Sequence, residues 1–178
     1  MFIPSCETDR LTLRPFASAD VNALHEIFSK PTVLRYFPNQ TPPNRAQVER
    51  IINFQLSHWE KHGYGWWAVE LTELKKMIGW CGLQFLPETG ETEVAYLLEP
   101  EHWGHGFGTE AARYSLHYGF IDLGIKKIVA IVHPDNLASR RVIEKLGMHF
   151  VDRASYFGMD CFRYDLDTSS FKEGRLLD

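Results

Sequence analysis

In the run Trp103-Gly104-His105-Gly106-Phe107-Gly108-Thr109-Glu110, three glycines alternate with bulkier residues between a strand-like segment and a long helical one. No other stretch restricts the fold as much, because a strand must feed a helix through backbone nearly bare of side chains. Such backbone lets several N–H groups converge on one anion. The helix start adds unsatisfied N–H groups and the positive end of its dipole. The combination suits a diphosphate, and it is equally compatible with a simple flexible turn. Other phosphate motifs fit worse. No Gly-Lys-Ser/Thr is present, so this is not an ATP P-loop. A dinucleotide fold needs its glycines after the first strand of a parallel βαβ unit. Here they follow a fourth strand that belongs to an antiparallel hairpin.

Periodicity orders the rest of the chain. Residues 10–14 alternate polar and apolar, which predicts a half-buried strand. Ser18 is placed to cap a helix with Val21, Leu24 and Phe28 at helical spacing, ended by Pro31. Pro31, Pro38, Pro42 and Pro43 then exclude regular structure. A second helix carries Val48, Ile51, Ile52, Leu56 and Trp59 on one face and stops at Gly63. Strands are predicted over 66–71, 76–85 and 93–98, the last two turned by Pro87-Glu88-Thr89-Gly90. A long helix over 109–123 buries Ala112, Leu116, Phe120 and Leu123 and is capped by Gly124. Residues 128–132 read as a strand buried on both faces. A helix over 136–146, closed by Gly147, and strands near 149–153 and 161–165 complete a single α/β domain spanning 1–178.

A second signal lies one crossover after the glycine loop. Asn136 is a plausible helix cap, and Ser139 stands one turn later. Each is also readable as an ordinary residue of a helix start.

Taken together, Trp103-Gly104-His105-Gly106-Phe107-Gly108-Thr109-Glu110-Ala111, then helix, strand, Asn136-x-x-Ser139 and Glu144-Lys145-Leu146-Gly147-Met148 resemble the GNAT acetyltransferase superfamily. Ser139 and the opening Thr8-Asp9-Arg10-Leu11-Thr12-Leu13-Arg14-Pro15-Phe16 are similar to its Rim-type branch, which includes ribosomal-protein N-terminal acetyltransferases. The resemblance therefore extends over nearly the whole chain. It implies an α/β fold on a mixed, largely antiparallel sheet of about seven strands with flanking helices, splayed between the fourth and fifth. It implies acetyl-CoA as cosubstrate and a primary amine as acceptor, either a peptide N-terminus or a small molecule. Gly104, His105, Gly106, Phe107, Gly108 and Thr109 would hold the pyrophosphate. Backbone groups near Leu97 and Leu98 would bond the pantetheine, and an N–H there would polarise the thioester carbonyl. Asn136 would contact the cofactor from the second of the two helices. A homodimer is a further family expectation. Two residues depart from the superfamily. Trp103 stands where the loop often begins with Gln or Arg, although an aromatic is common in this branch. Ile143 stands where many members have the Tyr that protonates the leaving thiolate, so that role has no holder here.

Chemistry adds two candidates. An alkylamine is mostly protonated near neutrality, with a pKa of about 8 to about 10.4, and must lose a proton to attack. Glu93, at the start of the strand that would carry the thioester, is the candidate base; the alternative is a solvent-exposed hairpin glutamate. Ser139 could donate a hydrogen bond to the departing thiolate. His58 and His62 lie four apart on a helix but have no third ligand in register, so no metal is implied and a solvated helix face is preferred. His102 and His105 flank the loop, where backbone contact with phosphate is favoured over imidazole chemistry. Trp66, Trp67 and Trp80 read as core or groove walls, and Tyr36 and Phe37 as either acceptor-site lining or core.

Composition narrows the remaining classes. A net charge of −4 argues against broad nucleic-acid binding, which needs an excess of Lys and Arg. Cys6, Cys81 and Cys161 form no C-x-x-C pair and stand outside both cofactor motifs, which disfavours a covalent acetyl-enzyme. No segment reaches the length of a membrane span, and residues 1–10 lack an apolar stretch fit for a signal peptide. A cytoplasmic location is expected. The competing readings are a non-catalytic acyl-CoA sensor or scaffold and a nucleotide-binding protein.

Overall fold

A computed structural model describes residues 2–171. The strands are β1 (Cys6–Glu7), β2 (Leu11–Arg14), β3 (Trp66–Leu71), β4 (Lys76–Leu86), β5 (Glu91–Leu98), β6 (Lys127–Val132), β7 (His149–Tyr156) and β8 (Met159–Asp167). The helices are α1 (Asp20–Ser29), α2 (Arg45–His62), α3 (Phe107–His117) and α4 (Leu137–Lys145). The eight strands among the described residues join one sheet in the order β1-β2-β3-β4-β5-β6-β8-β7. The additional strand is the two-residue β1, too short to leave a periodic signal, paired antiparallel with β2.

Local chemistry sets the helix ends. At α2, Asn44 Oδ1 accepts the Gln47 N–H at 3.0 Å, and Gln47 Oε1 accepts the Asn44 N–H at 2.7 Å. This reciprocal pair satisfies two orphan donors and stabilises the helix start by about 1 kcal/mol. Gly63, at φ 75°, ends the helix in the left-handed region. The expectation that Ser18 caps α1 is corrected: Ala19 holds that position without a side-chain cap. The buried Asp20 instead accepts the Ala17 N–H at 2.7 Å and two bonds from Arg14, which fastens α1 to β2. Leu123 is also corrected from buried to exposed. The helix loosens after His117 into a π turn over Tyr118–Asp122, which takes Leu123 off the buried stripe.

The sheet divides two cores. Val94 and Leu98 face a larger one with Ala112 and Leu116 of α3 and Ile143 of α4. Leu97 faces a smaller one with Leu24 and Phe28 of α1 and Val48 and Ile52 of α2. Every strand pair is antiparallel except β5 with β6. That parallel ladder consists of one bridged pair, Glu93 with Val129. Towards Leu98 and Val132 the two strands carry no further bridge, so the sheet opens there, at the joint the resemblance implies.

Candidate active site

The opening between β5 and β6 has the glycine loop at its β5 side. After β5, a short 3-10 turn over Pro100–His102 leads into the loop. Gly104 and Gly106 take φ of 79° and 85°, a region that penalises any side chain. Gly106 is the N-cap of α3, and among the described residues no side chain caps the helix start. The helix begins at Phe107, two residues before the expected start. An anion can therefore be met by bare N–H groups and by the positive helix end. A pyrophosphate fits this cradle.

Side chains from elsewhere hold the loop in place. Arg10, just before β2, donates to His105 O at 2.9 Å and to Glu110 Oε2 at 2.8 Å, and its guanidinium lies 4.5 Å from the Phe107 ring centroid. The Trp103 indole donates to Leu98 O at 2.7 Å, which ties the loop back to the end of β5. Glu99 N donates across to Ile78 O of β4 at 2.7 Å, so strand alternation turns the Leu98 backbone toward the opening. Leu97 is paired with Trp80 of β4, and its side chain is buried in the smaller core. Glu99 itself is buried. Burial opposes its ionisation, but Lys30 and Lys76 beside it hold its carboxyl below the ordinary value. Among the described residues, Glu99, Glu101 and His102 bring three metal-ligating atoms together, with both lysines already on the carboxylates.

One expected residue, Ser139, meets an unexpected one across the opening. Asn136 caps α4, its Oδ1 accepting the Ser139 N–H at 3.1 Å. The Ser139 hydroxyl is left free of capping and lies 2.8 Å from the Tyr96 hydroxyl. Sequence reasoning missed Tyr96. The available signal was strand alternation, which places it on the face opposite Leu97, together with the lack of a hydroxyl at Ile143.

Glu93 is no exposed hairpin residue: only 4% of it is accessible. Gln84 Nε2 donates to its Oε2 at 2.5 Å, and the Ile131 N–H donates to its Oε1 at 3.3 Å. Burial pushes its pKa up to about 7, with both donors opposing the rise. A carboxyl poised there can exchange a proton near neutrality.

The other aromatic and histidine residues separate clearly. Trp66 and Trp80 stack at 3.6 Å, and among the described residues neither buried indole N–H has a partner. Trp67 is fully buried in the larger core. Tyr36 reaches His133 with ring centroids 5.3 Å apart, so the proline-rich segment crosses to the end of β6. Phe37 packs on the smaller core. His58 is corrected from a solvated face to a buried link between Tyr64 O and the Phe85 N–H. No helix among the described residues is long and apolar enough to cross a membrane.

The fold is shared with known acetyltransferases. A Bacillus subtilis (strain 168) protein called uncharacterized N-acetyltransferase YoaA is 36% identical over 81% of this chain and 82% of its own length. Spermidine N(1)-acetyltransferase of Escherichia coli (strain K12) is 28% identical over 76% of this chain and 70% of its own. The crystal structure of an acetyltransferase from Agrobacterium tumefaciens superposes with a TM-score of 0.82 at 28% identity, covering 93% of this chain and 95% of that one. Residues 10–149 match the acetyltransferase (GNAT) domain. With that match over most of its length, the chain belongs to the GNAT acetyltransferase family.

Proposed function

We propose that this acetyltransferase uses acetyl-CoA to acetylate a primary amine, a peptide N-terminus or a small-molecule amine, by direct attack within a ternary complex. Acetyl-CoA, when bound, supplies an activated thioester. The observation that carries the reading is Glu93, a buried carboxyl with a pKa of about 7 at the point where β5 and β6 part. Gly104, Gly106, Gly108 and Thr109, with the backbone of His105 and Phe107, would hold the pyrophosphate at the start of α3. Leu98, whose backbone faces the opening, would align the pantetheine along the end of β5, with Leu97 beside it fixed to β4, and Asn136 would approach it from α4. Glu93 takes the proton from the attacking amine, and Ser139 donates a hydrogen bond to the leaving sulfur.

The cysteines support direct transfer. Burial pushes the Cys81 thiol up to about 12 and raises Cys161 and Cys6 as well, leaving little thiolate to act as a nucleophile. All three are free, which fits a reducing cytoplasm. A relative named for spermidine supports a small-molecule amine as one class of acceptor. A second reading, a non-catalytic acyl-CoA sensor, draws on the buried, apolar Ile143.

The deciding experiment is thiol release from acetyl-CoA across peptides of different N-termini, polyamines, free amino acids and aminoglycosides. Turnover on one class names the acceptor. Tight CoA binding with no turnover on any of them favours the sensor, and tighter binding of ATP or NAD than of CoA defeats both readings.

A further inference from the structure

Tyr96 and Glu93 lie on opposite faces of β5. Tyr96 packs on the larger core with Val94 and Leu98, whereas Ala95 and Leu97 meet the smaller one, and alternation places Glu93 with them. The 2.8 Å contact between the Tyr96 and Ser139 hydroxyls therefore spans the opening on the α3 and α4 side, away from the carboxyl. The Tyr96 ring is held independently of that contact. A Cβ built on Gly108 would stand 3.5 Å from Tyr96 Cε2, so the ring edge lies against the glycine loop. Asn136 accepts the Ser139 N–H, and the Tyr96 phenol reaches both Ser139 O at 3.4 Å and Ser139 Oγ at 2.8 Å, the hydroxyl oxygen being the nearer acceptor. Burial raises the phenol above its ordinary value, so it stays protonated and able to donate. Ile143, one turn beyond Ser139, is buried and has no hydroxyl to offer.

We propose that Tyr96 is a positioning residue for the leaving group: its O–H donates to Ser139 Oγ and leaves the Ser139 O–H to point at the departing sulfur. The proposal rests on the acetyl-transfer reading above. In that step the amine nitrogen bonds to the carbonyl carbon, the C–S bond breaks, and its electron pair leaves with sulfur. An ammonium acceptor releases two protons in turn, one to attack and one as the amide forms, and Glu93 takes each and passes it to solvent. No proton has to reach sulfur during the step. Ser139 holds the developing thiolate, and an O–H whose oxygen already accepts a hydrogen bond is the stronger donor.

Tyr96→Phe keeps the ring and removes only the hydroxyl. We expect kcat to fall about three- to tenfold with the acetyl-CoA KM within about twofold, because the bond acts on developing charge. Ser139→Ala should lose about ten- to a hundredfold, the usual worth of a bond to a charged group. The double variant should be no slower than Ser139→Ala, since one residue acts through the other. A second arm needs no turnover: calorimetric affinity for CoA itself from about pH 7 to about pH 9, across the ordinary thiol pKa of about 8.5. Wild type should gain affinity as the thiol ionises. Both single variants should lose that gain while binding acetyl-CoA normally.

Wild-type kcat and a wild-type pH gain in a folded Tyr96→Phe, beside an impaired Ser139→Ala, would overturn the proposal. Additive losses overturn it too, as does a larger loss from Tyr96→Phe than from Ser139→Ala, which places the phenol itself at sulfur. An unchanged Ser139→Ala overturns both this proposal and the role given to Ser139 above. Absence of any amine acceptor would defeat the acetyl-transfer reading, while the CoA arm would still report on the hydroxyl pair.

Discussion

Glu93 on β5 accepts the backbone N–H of Ile131 on β6 at 3.3 Å, two residues beyond the pair that bridges the strands. The bond fixes a carboxylate oxygen where the sheet opens, while Gln84 holds the other oxygen from β4. A group restrained from two strands keeps its direction when its proton leaves.

Activity should follow that proton. Glu93 is raised to about 7, so kcat/KM should climb as pH rises through that value, because the base works only when ionised. Glu93→Gln should lose this limb and fall on the order of 10²–10⁴-fold near neutrality, recovering in part as pH approaches the pKa of the amine. The measurement is kcat/KM against pH for both proteins with one acceptor. A variant within about threefold of wild type throughout transfers the role to water or another carboxylate.

The same carboxyl costs stability. Its folded pKa of about 7 stands above the ordinary 4.5, so the folded chain binds the proton more tightly than the unfolded chain. The penalty is absent below pH 4.5, grows as pH rises, and is complete above about 7. A shift of that size corresponds to on the order of 3 kcal/mol. Glu93→Gln should therefore be more stable than wild type at about pH 8, by on the order of 1–3 kcal/mol, and lose that advantage at about pH 5. Urea melts at the two pH values check this. A variant no more stable at the higher pH would show that burial does not penalise the charge.

His58 gives the opposite slope. Its Nδ1 donates to Tyr64 O at 2.7 Å, and its Nε2 accepts the Phe85 N–H at 3.1 Å, so the ring has no place for a second proton. Burial, helped by Lys61, holds its pKa below 6.5 against the Tyr64 bond. A depressed folded pKa gives stability that is present above about 6.5 and lost as pH falls through the lower folded value. His58→Ala should cost about 2–4 kcal/mol at about pH 7.5, through an unpaired donor and acceptor and the space left behind. Denaturant melts should also show a shallower loss of stability below pH 6.5 in the variant than in wild type. Parallel pH curves would move that titration to another group.

The glycine loop separates backbone from room. Gly106 takes φ 85°, so Gly106→Ala strains the backbone by about 1–2 kcal/mol and turns the loop N–H groups aside. CoA affinity should drop at least about tenfold by calorimetry, since charged hydrogen bonds are lost. Gly108 has no such φ, and a Cβ there makes ordinary 3.5 Å contact with Tyr96. Gly108→Ala should keep or raise stability by about 0.5–1 kcal/mol and still bind CoA. Normal CoA binding by a folded Gly106→Ala would remove the loop from the cofactor site.

Much of the fold was legible because its signals are local. The 3.6-residue spacing of Val48, Ile52 and Trp59, the Gly63 stop and the hairpin at Pro87–Gly90 each lie within a few turns of chain, where torsional preference and one buried face decide the outcome. The glycine loop was legible for the same reason: positive φ and a bare helix start are properties of consecutive residues. Ser18 and Leu123 were misread where a longer-range partner or a change of helix type outweighed local pattern. Arg14 claims Asp20 from the neighbouring strand, and the π turn carries Leu123 outward.

From the sequence alone came the order of elements, the glycine loop, and Glu93, Asn136 and Ser139 as residues of interest, while the joint where the sheet opens came from the family resemblance. Only the tertiary structure decided what surrounds them. It buried Glu93 and raised its carboxyl, placed Gln84 and Ile131 on its two oxygens, and set Tyr96 against Ser139. The two cross-opening contacts join residues 38 and 43 positions apart. Periodicity reports which face a residue takes, but distance and desolvation depend on strand register and on where one parallel ladder stops, which no short window of sequence contains.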